Sequence, residues 1–331
     1  MTQPNSATLK TYLPLLEIKD LRTYFYVKAG TVKAVDGLDL TLDSGTKLGL
    51  VGESGSGKST MALSIMRMIR MPGTIQGQIM LNGVDLLKLS EDEMRKTRLS
   101  EIAMIPQGAM NSLNPVMRIK NQIIDGMLDH GIKGSKREMM NRVYTLLERV
   151  ELSPRVANMY PHELSGGMKQ RVTVAIAISL RPKILIADEP TSALDVVIQR
   201  QVMETITGLV RDLDLSMILI GHDMGLMAQS VDRLAVMYAG KLAEVGAMKD
   251  LFAEPFHPYT RLLISSLPVL GQRGVFQGIP GIPPSVINPP PGCLFRARCP
   301  NVIQGVCDKT FPNYVEVKPG HLVACHLYGG A

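Results

Sequence analysis

One segment restricts this sequence more than any other. Gly52-Glu53-Ser54-Gly55-Ser56-Gly57-Lys58-Ser59, followed by Thr60, fits G-x-x-x-x-G-K-[ST]. The apolar run Lys47 to Val51 reads as a strand entering it, and Lys58 to Arg70 reads as a helix leaving it. A glycine turn opening a helix is ordinary by itself, but a turn closed by a lysine and a hydroxyl between strand and helix is a phosphate-binding loop. Its glycines let successive backbone N–H groups face one anion, the helix aims its positive end there, and Lys58 adds a point charge at the β/γ-phosphates. Ser59 offers a hydroxyl to Mg²⁺, so ATP with Mg²⁺ is the expected ligand.

Such a loop needs a parallel sheet behind it. Short apolar segments at Leu15 to Ile18, Leu38 to Leu42, Gly77 to Leu81, Glu101 to Pro106, Lys183 to Asp188, Ser216 to Gly221 and Arg233 to Tyr238 alternate with helix-like stretches. The pattern predicts an α/β fold with a largely parallel sheet flanked by helices. Between Gly108 and Leu164 the strand signal vanishes and Arg137 to Val150 shows helical spacing, which predicts a helical subdomain inserted over about 108–164. Beyond Leu251 the composition shifts to a proline-rich stretch and then to all four cysteines. The expected organisation is a polar tail over 1–14, a nucleotide-binding domain over 15–251 and a C-terminal extension over 252–331.

With 331 residues, 45% of them hydrophobic, the chain can fill a real core, packed by 21 methionines and aliphatic side chains because aromatics reach only 5% and tryptophan is absent. The net charge of +6 is spread along the chain without the dense basic block of a nucleic-acid arm. No apolar run approaches the roughly 20 residues that span a bilayer. Residues 1–10 lack the order of a signal peptide, so a cytoplasmic location with reduced thiols is expected.

Two further segments carry chemistry. Ile184-Leu185-Ile186-Ala187-Asp188-Glu189 is an apolar strand ending in adjacent carboxylates, an arrangement that sets Asp188 near a metal and Glu189 beside an attacking water. Leu164-Ser165-Gly166-Gly167-Met168-Lys169-Gln170-Arg171 places a hydroxyl and paired glycines at a helix start, and resembles the signature motif of ABC ATPases. Other elements of that family follow in order. Gln107 stands where the Q-loop glutamine would, Ser192-Ala193-Leu194-Asp195 resembles the D-loop, and His222 follows its strand as the switch histidine does. Phe25 matches the aromatic that stacks on adenine, with Tyr24 and Tyr26 as alternatives.

The resemblance implies a RecA-like core with an antiparallel β subdomain and a helical subdomain. It implies head-to-tail dimers in which Ser165, Gly166, Gly167 and Asp195 meet the partner's nucleotide. Gly52, Ser54, Gly55, Ser56, Gly57, Lys58, Ser59 and Thr60 hold the phosphates, Ser59, Gln107 and Asp188 hold Mg²⁺, and Glu189 and His222 act in hydrolysis.

Pro255-Phe256-His257-Pro258-Tyr259-Thr260 matches the HPY segment of oligopeptide and dipeptide importers. By itself it reads as a turn with proline opening a helix from Tyr259 to Ser266, and His257 as structural. Cys293, Cys299, Cys307 and Cys325, separated by five, seven and seventeen residues, suggest a shared metal centre; four thiolates suit Zn²⁺ or a 4Fe-4S cluster. The D-type ATPase subunits of these importers carry a similar cysteine pattern, and the resemblance favours 4Fe-4S. It further implies two transmembrane permeases, an extracytoplasmic substrate-binding protein, a second, nonidentical ATPase and a place on the cytoplasmic face of the membrane. Peptide is the expected cargo; nickel, glutathione and oligosaccharides are the family's alternatives. Other classes are a soluble ABC ATPase acting on nucleic acid and a redox-sensing regulatory ATPase.

Overall fold

A computed structural model describes residues 13–266 and 278–329. The polar tail expected over 1–14 therefore lies, up to residue 12, outside the described residues. The chain opens with a long antiparallel hairpin, β1 (Leu16–Val27) and β2 (Gly30–Leu42). After β3 (Lys47–Val51) and α1 (Lys58–Ile65) it adds β4 (Gly73–Leu81) and β5 (Val84–Asp85), giving a four-stranded sheet in the order β2-β1-β4-β5. The hairpin is longer than the apolar segments suggested. One face of β1 is solvated and carries charges such as Lys19, Asp20 and Arg22, so hydropathy marks only its buried start. Helix α1 is shorter than expected, because the chain takes a left-handed turn at Arg67 (φ 49) well before Arg70.

From α2 (Glu91–Thr97) the chain enters β6 (Ile102–Ile105) and then the helical region, α3 (Ile119–Asp129) and α4 (Lys136–Arg149). Among the described residues no strand falls between 108 and 164. Ser135 and Glu138 form a capping box that starts α4, and Met139, Val143, Leu146 and Leu147 share its buried face at helical spacing. The chain returns through α5 (Gly166–Ala177), β7 (Ile184–Asp188), α6 (Val196–Asp212), β8 (Ser216–Ile220), α7 (Met224–Ser230), β9 (Arg233–Tyr238) and β10 (Lys241–Ala247). Strands β9-β3-β8-β7-β6 are parallel, and β7 and β8 are buried along their whole length, as continuous apolar runs should be.

After α8 (Met248–Ala253) and α9 (Pro258–Ser265), the extension ends in a hairpin of β11 (Tyr314–Lys318) and β12 (His321–Ala324). Strand β12 pairs with β10 through Glu244↔Val323 and Val245↔Leu322, so the extension continues the main sheet, whose order is β11-β12-β10-β9-β3-β8-β7-β6. One buried cluster packs the antiparallel sheet and α1 on one face of the main sheet, with Ile18, Leu38, Ile65 and Ile218 among its members. A second joins the other face to the helices and takes in Tyr259, Leu294 and Phe295 of the extension. Among the described residues no helix is long and apolar enough to cross a membrane.

Candidate active site

The phosphate loop sits between β3 and α1 at the carboxyl end of the parallel strands, where open α/β sheets bind ligands. Gly57, with φ 102, precedes α1, and a Cβ there would lie 2.2 Å from the Ala34 carbonyl oxygen, so only glycine fits. No side chain caps α1, which leaves its first N–H groups directed at the loop's concavity. Lys58 folds back, donating from Nζ to the carbonyl oxygens of Gly52 (2.8 Å) and Glu53 (3.0 Å) and to Ser56 Oγ (3.4 Å). Burial lowers its pKa, while the charges of Glu189, Asp188 and Glu53 oppose that shift.

Opposite the loop, β7 ends in Asp188 and Glu189. The Ser59 hydroxyl donates to Asp188 Oδ1 at 3.1 Å. Burial pushes the Asp188 carboxyl above its ordinary range, the Ser59 bond counteracts this, and the neighbouring Glu189 charge adds to it. A hard oxygen pair in an acid-burying site fits Mg²⁺, whose charge favours the ionised carboxylate. Glu189 has φ 45, a left-handed conformation that costs a non-glycine residue on the order of 1 kcal/mol or more. Its N–H donates to Ile220 O at 2.9 Å, which fixes the strained turn to β8. Its carboxylate receives Gln107 Nε2 at 2.9 Å and lies 3.6 Å from His222 Nδ1.

Lys58, Ser59, Gln107 and Glu189 share one cleft of about 400 Å³, lined also by Phe25, Val32, Ala34, Ser54, Gly55, Gly57, Thr60 and Val286. Phe25 is the aromatic on this cleft. Tyr24 instead donates its hydroxyl to Asp36, and Tyr26 is exposed. His222 lies in an adjoining pocket that shares Glu189. Ser165, Gly166, Gly167 and Asp195 are absent from the lining of the cleft. Ser165 Oγ caps α5 by accepting the Met168 N–H at 3.3 Å. Asp195 caps α6 through the amides of Val197 and Ile198. Val196 and Val197, beside that cap, are exposed.

The sequence reading missed a set of residues behind the loop. Tyr259, fully buried, accepts the Glu53 N–H on its hydroxyl at 2.9 Å. Arg298 forms a two-pronged pair with Glu53, Nη1 to Oε2 at 2.6 Å and Nη2 to Oε1 at 2.8 Å. The HPY segment was the available signal for Tyr259. His257, treated as structural, caps α9 by accepting the Tyr259 N–H on Nδ1 at 3.0 Å, so it fixes the helix that carries Tyr259.

Cys293, Cys299, Cys307 and Cys325 line one pocket with Phe295 and His326, and none forms a disulfide. Burial lifts the Cys293 thiol to about 11 and raises Cys299 and Cys325, with neighbouring cysteines adding to each shift. Yet among the described residues no three His, Cys, Asp or Glu side chains are grouped so as to hold a metal ion. Beyond the one pocket that the four thiols share, the described residues lend the expected Zn²⁺ or 4Fe-4S site no support. A tetrahedral zinc site, with Zn–S of about 2.3 Å, would need the sulfurs nearly in contact.

Residues 35–192 match the ABC transporter family model, and residues 243–307 match the oligopeptide/dipeptide transporter C-terminal region. The chain is 44% identical to the oligopeptide transport ATP-binding protein AppD of Bacillus subtilis, covering 95% of this chain and 97% of AppD. It is 42% identical to the oligopeptide transport ATP-binding protein OppD of Escherichia coli, covering 94% of this chain and 92% of OppD. The dimeric bacterial ABC transporter cassette MJ0796 superposes with a TM-score of 0.64 at 26% identity, covering 70% of this chain and 98% of the cassette. The loop, the carboxylate pair and the added C-terminal region thus find their counterparts together, and the chain belongs to the ATP-binding subunits of the oligopeptide/dipeptide ABC transporters.

Proposed function

We propose that this chain energises the import of peptides by binding ATP in the cleft of Lys58 and Ser59 and hydrolysing it with Glu189. The observation that carries this reading is the convergence of Gln107, Glu189 and His222 beside the Ser59–Asp188 pair. The loop amides, the start of α1 and Lys58 bind the β- and γ-phosphates, and Phe25 stacks on the adenine. Ser59 and Asp188, with Gln107, would hold Mg²⁺, which would supply positive charge against the phosphates. Glu189 accepts a proton from, or orients, the attacking water, and His222 meets charge on the γ-phosphate side.

The uncovered side of the γ-phosphate needs donors from elsewhere. Ser165, Gly166 and Gly167 at the start of α5, with Asp195, supply them to a partner subunit's nucleotide, which accounts for their place outside this chain's own cleft. The partner is a second, nonidentical ATPase. Two permeases and an extracytoplasmic binding protein complete the importer, with this chain on the cytoplasmic face. The organisation into a domain over 15–251 and an extension over 252–331 remains part of this proposal. The four cysteines hold a 4Fe-4S cluster in this reading, a group able to exchange an electron. The shared thiol pocket supports it, since four thiolates are the ligand set that such a cluster would take.

The test is a reconstituted importer with labelled di- and oligopeptides. Glu189→Gln is expected to retain ATP binding and lose hydrolysis and uptake together. Hydrolysis at the parent rate in that variant refutes the assignment. Iron and zinc analysis of anaerobically purified protein decides the cysteine pocket, and a chain with neither metal rejects a bound group.

A further inference from the structure

The nucleotide cleft has a wall that the phosphate-loop signature does not explain. Val286 lines it together with Phe25 and Val32, yet Val286 belongs to the proline-rich stretch of the extension. Its segment is laid along the outer edge of β2, the last strand of the antiparallel sheet. The Lys33 N–H donates to Val286 O at 2.9 Å, the Asn288 N–H donates to Thr31 O at 3.1 Å, and Val32 bridges Ile287. Phe25 pairs with Val32 across the hairpin, so one short ladder brings the aromatic and the extension to the same cleft. The fit is close: a Cβ on Gly30, whose φ is 132, would lie 2.4 Å from Asn288 Nδ2.

The extension also reaches the phosphate side. Besides its two bonds to Glu53, Arg298 donates from Nε to Pro280 O (2.8 Å), from Nη2 to Ile279 O (3.1 Å) and from Nη1 to the Tyr238 hydroxyl (3.2 Å). These contacts match the five N–H donors of a guanidinium. The Arg298 side chain is 4% exposed and that of Glu53 26%, so the arginine is buried and fully engaged while its partner reaches the edge of the loop. Glu53 needs it. A carboxylate inside a loop that must hold a polyphosphate repels the ligand unless a fixed cation neutralises it.

We propose that the C-terminal extension is a working part of the nucleotide site: Val286 closes the base side, and Arg298 is a positioning residue that neutralises Glu53 and sets the phosphate loop. This rests on the assignment of ATP to the cleft of Lys58 and Ser59. The phosphate loop answers to a segment outside the ATPase signature motifs, and the base side and the loop are each met by a different part of the extension.

Calorimetric binding of ATP and of inorganic tripolyphosphate, both with Mg²⁺, to the full chain separates the two contacts. Val286→Ala is expected to weaken ATP about threefold or more, from lost apolar contact, and to leave tripolyphosphate unchanged. Arg298→Gln is expected to weaken both ligands by about tenfold or more, and the double variant Glu53→Gln/Arg298→Gln to recover much of that loss, since no unpaired acid remains. A merely structural arginine would show no such rescue. If Arg298→Gln does not fold, Glu53→Gln/Arg298→Gln still tests the idea: binding of both ligands within about threefold of the parent supports it, and a loss of about tenfold or more refutes it. Val286→Ala acting equally on both ligands, or on neither, overturns the base-side assignment. Arg298→Gln folded and binding at parent affinity overturns the positioning role. A parent chain that binds neither ligand refutes the cleft assignment itself, a result distinct from either.

Discussion

His257 gives the clearest measurable consequence of how the extension is fastened. Burial among Phe295, Tyr259 and α9, with a push from the Arg261 charge, lowers its pKa to about 4 from an ordinary 6.5. In the folded chain the imidazole stays neutral down to that pH, whereas in the unfolded chain it takes up a proton near 6.5. Between those values the unfolded state binds more protons, so acid favours unfolding. The contribution is whole above pH 6.5 and disappears as pH falls through 4. The full shift corresponds to roughly 3 kcal/mol, of which about 2 kcal/mol is lost by pH 5.

The perturbation is His257→Asn, which retains a capping acceptor for the Tyr259 amide without a titrating ring. Urea unfolding of both proteins at pH 7.5 and pH 5 isolates the effect, since other titrating groups cancel in the difference. The parent is more stable at pH 7.5 because the ring is packed, and its advantage should shrink by about 2 kcal/mol at pH 5. An unchanged difference between the two pH values would show that His257 does not remain neutral on folding and would refute the reasoning.

Other perturbations act closer to the cleft. Lys58→Ala should raise the Kd for ATP by about 100-fold or more, read by fluorescent-nucleotide titration, because the buried point charge at the phosphates is lost. Ser59→Ala should leave Mg²⁺-free nucleotide binding near the parent value while raising the Mg²⁺ concentration needed for half-maximal hydrolysis. Equal Mg²⁺ dependence would exclude Ser59 as a ligand. Tyr259→Phe removes the acceptor for the Glu53 N–H and should cost about 1–3 kcal/mol of stability in chemical denaturation, together with a raised KM for ATP.

The phosphate-loop side of the candidate site was legible because its residues are local in sequence. A strand, a glycine turn and a helix place Lys58 and Ser59 within one stretch, and the carboxylates of Asp188 and Glu189 end an apolar strand. Cross-chain relations left weaker traces. Tyr24, Phe25 and Tyr26 are indistinguishable by composition, and only the register against β2 and the position of Asp36 assign Phe25 to the cleft. Strands β11 and β12 were missed because β11 is partly solvated and carries the charged residues Glu316 and Lys318, while β12, though mostly buried, is only four residues long. Arg298 carried no signal, since its partner Glu53 is distant in sequence and a lone arginine beside a cysteine suggests nothing about phosphates.

The pairing of β12 with β10 bears on how the chain is made. During synthesis β10 emerges long before Leu322 and Val323, so its free edge has no strand to receive it until β12 has left the ribosome. Tyr259, Val286 and Arg298 follow β10 and precede that hairpin. A nascent chain stopped before Tyr314 is therefore an ATPase core with an open sheet edge, exposed to wrong pairing. Its protease sensitivity should fall sharply once the final hairpin is released. The edge of β10 thus stays open until the hairpin of β11 and β12 has been translated.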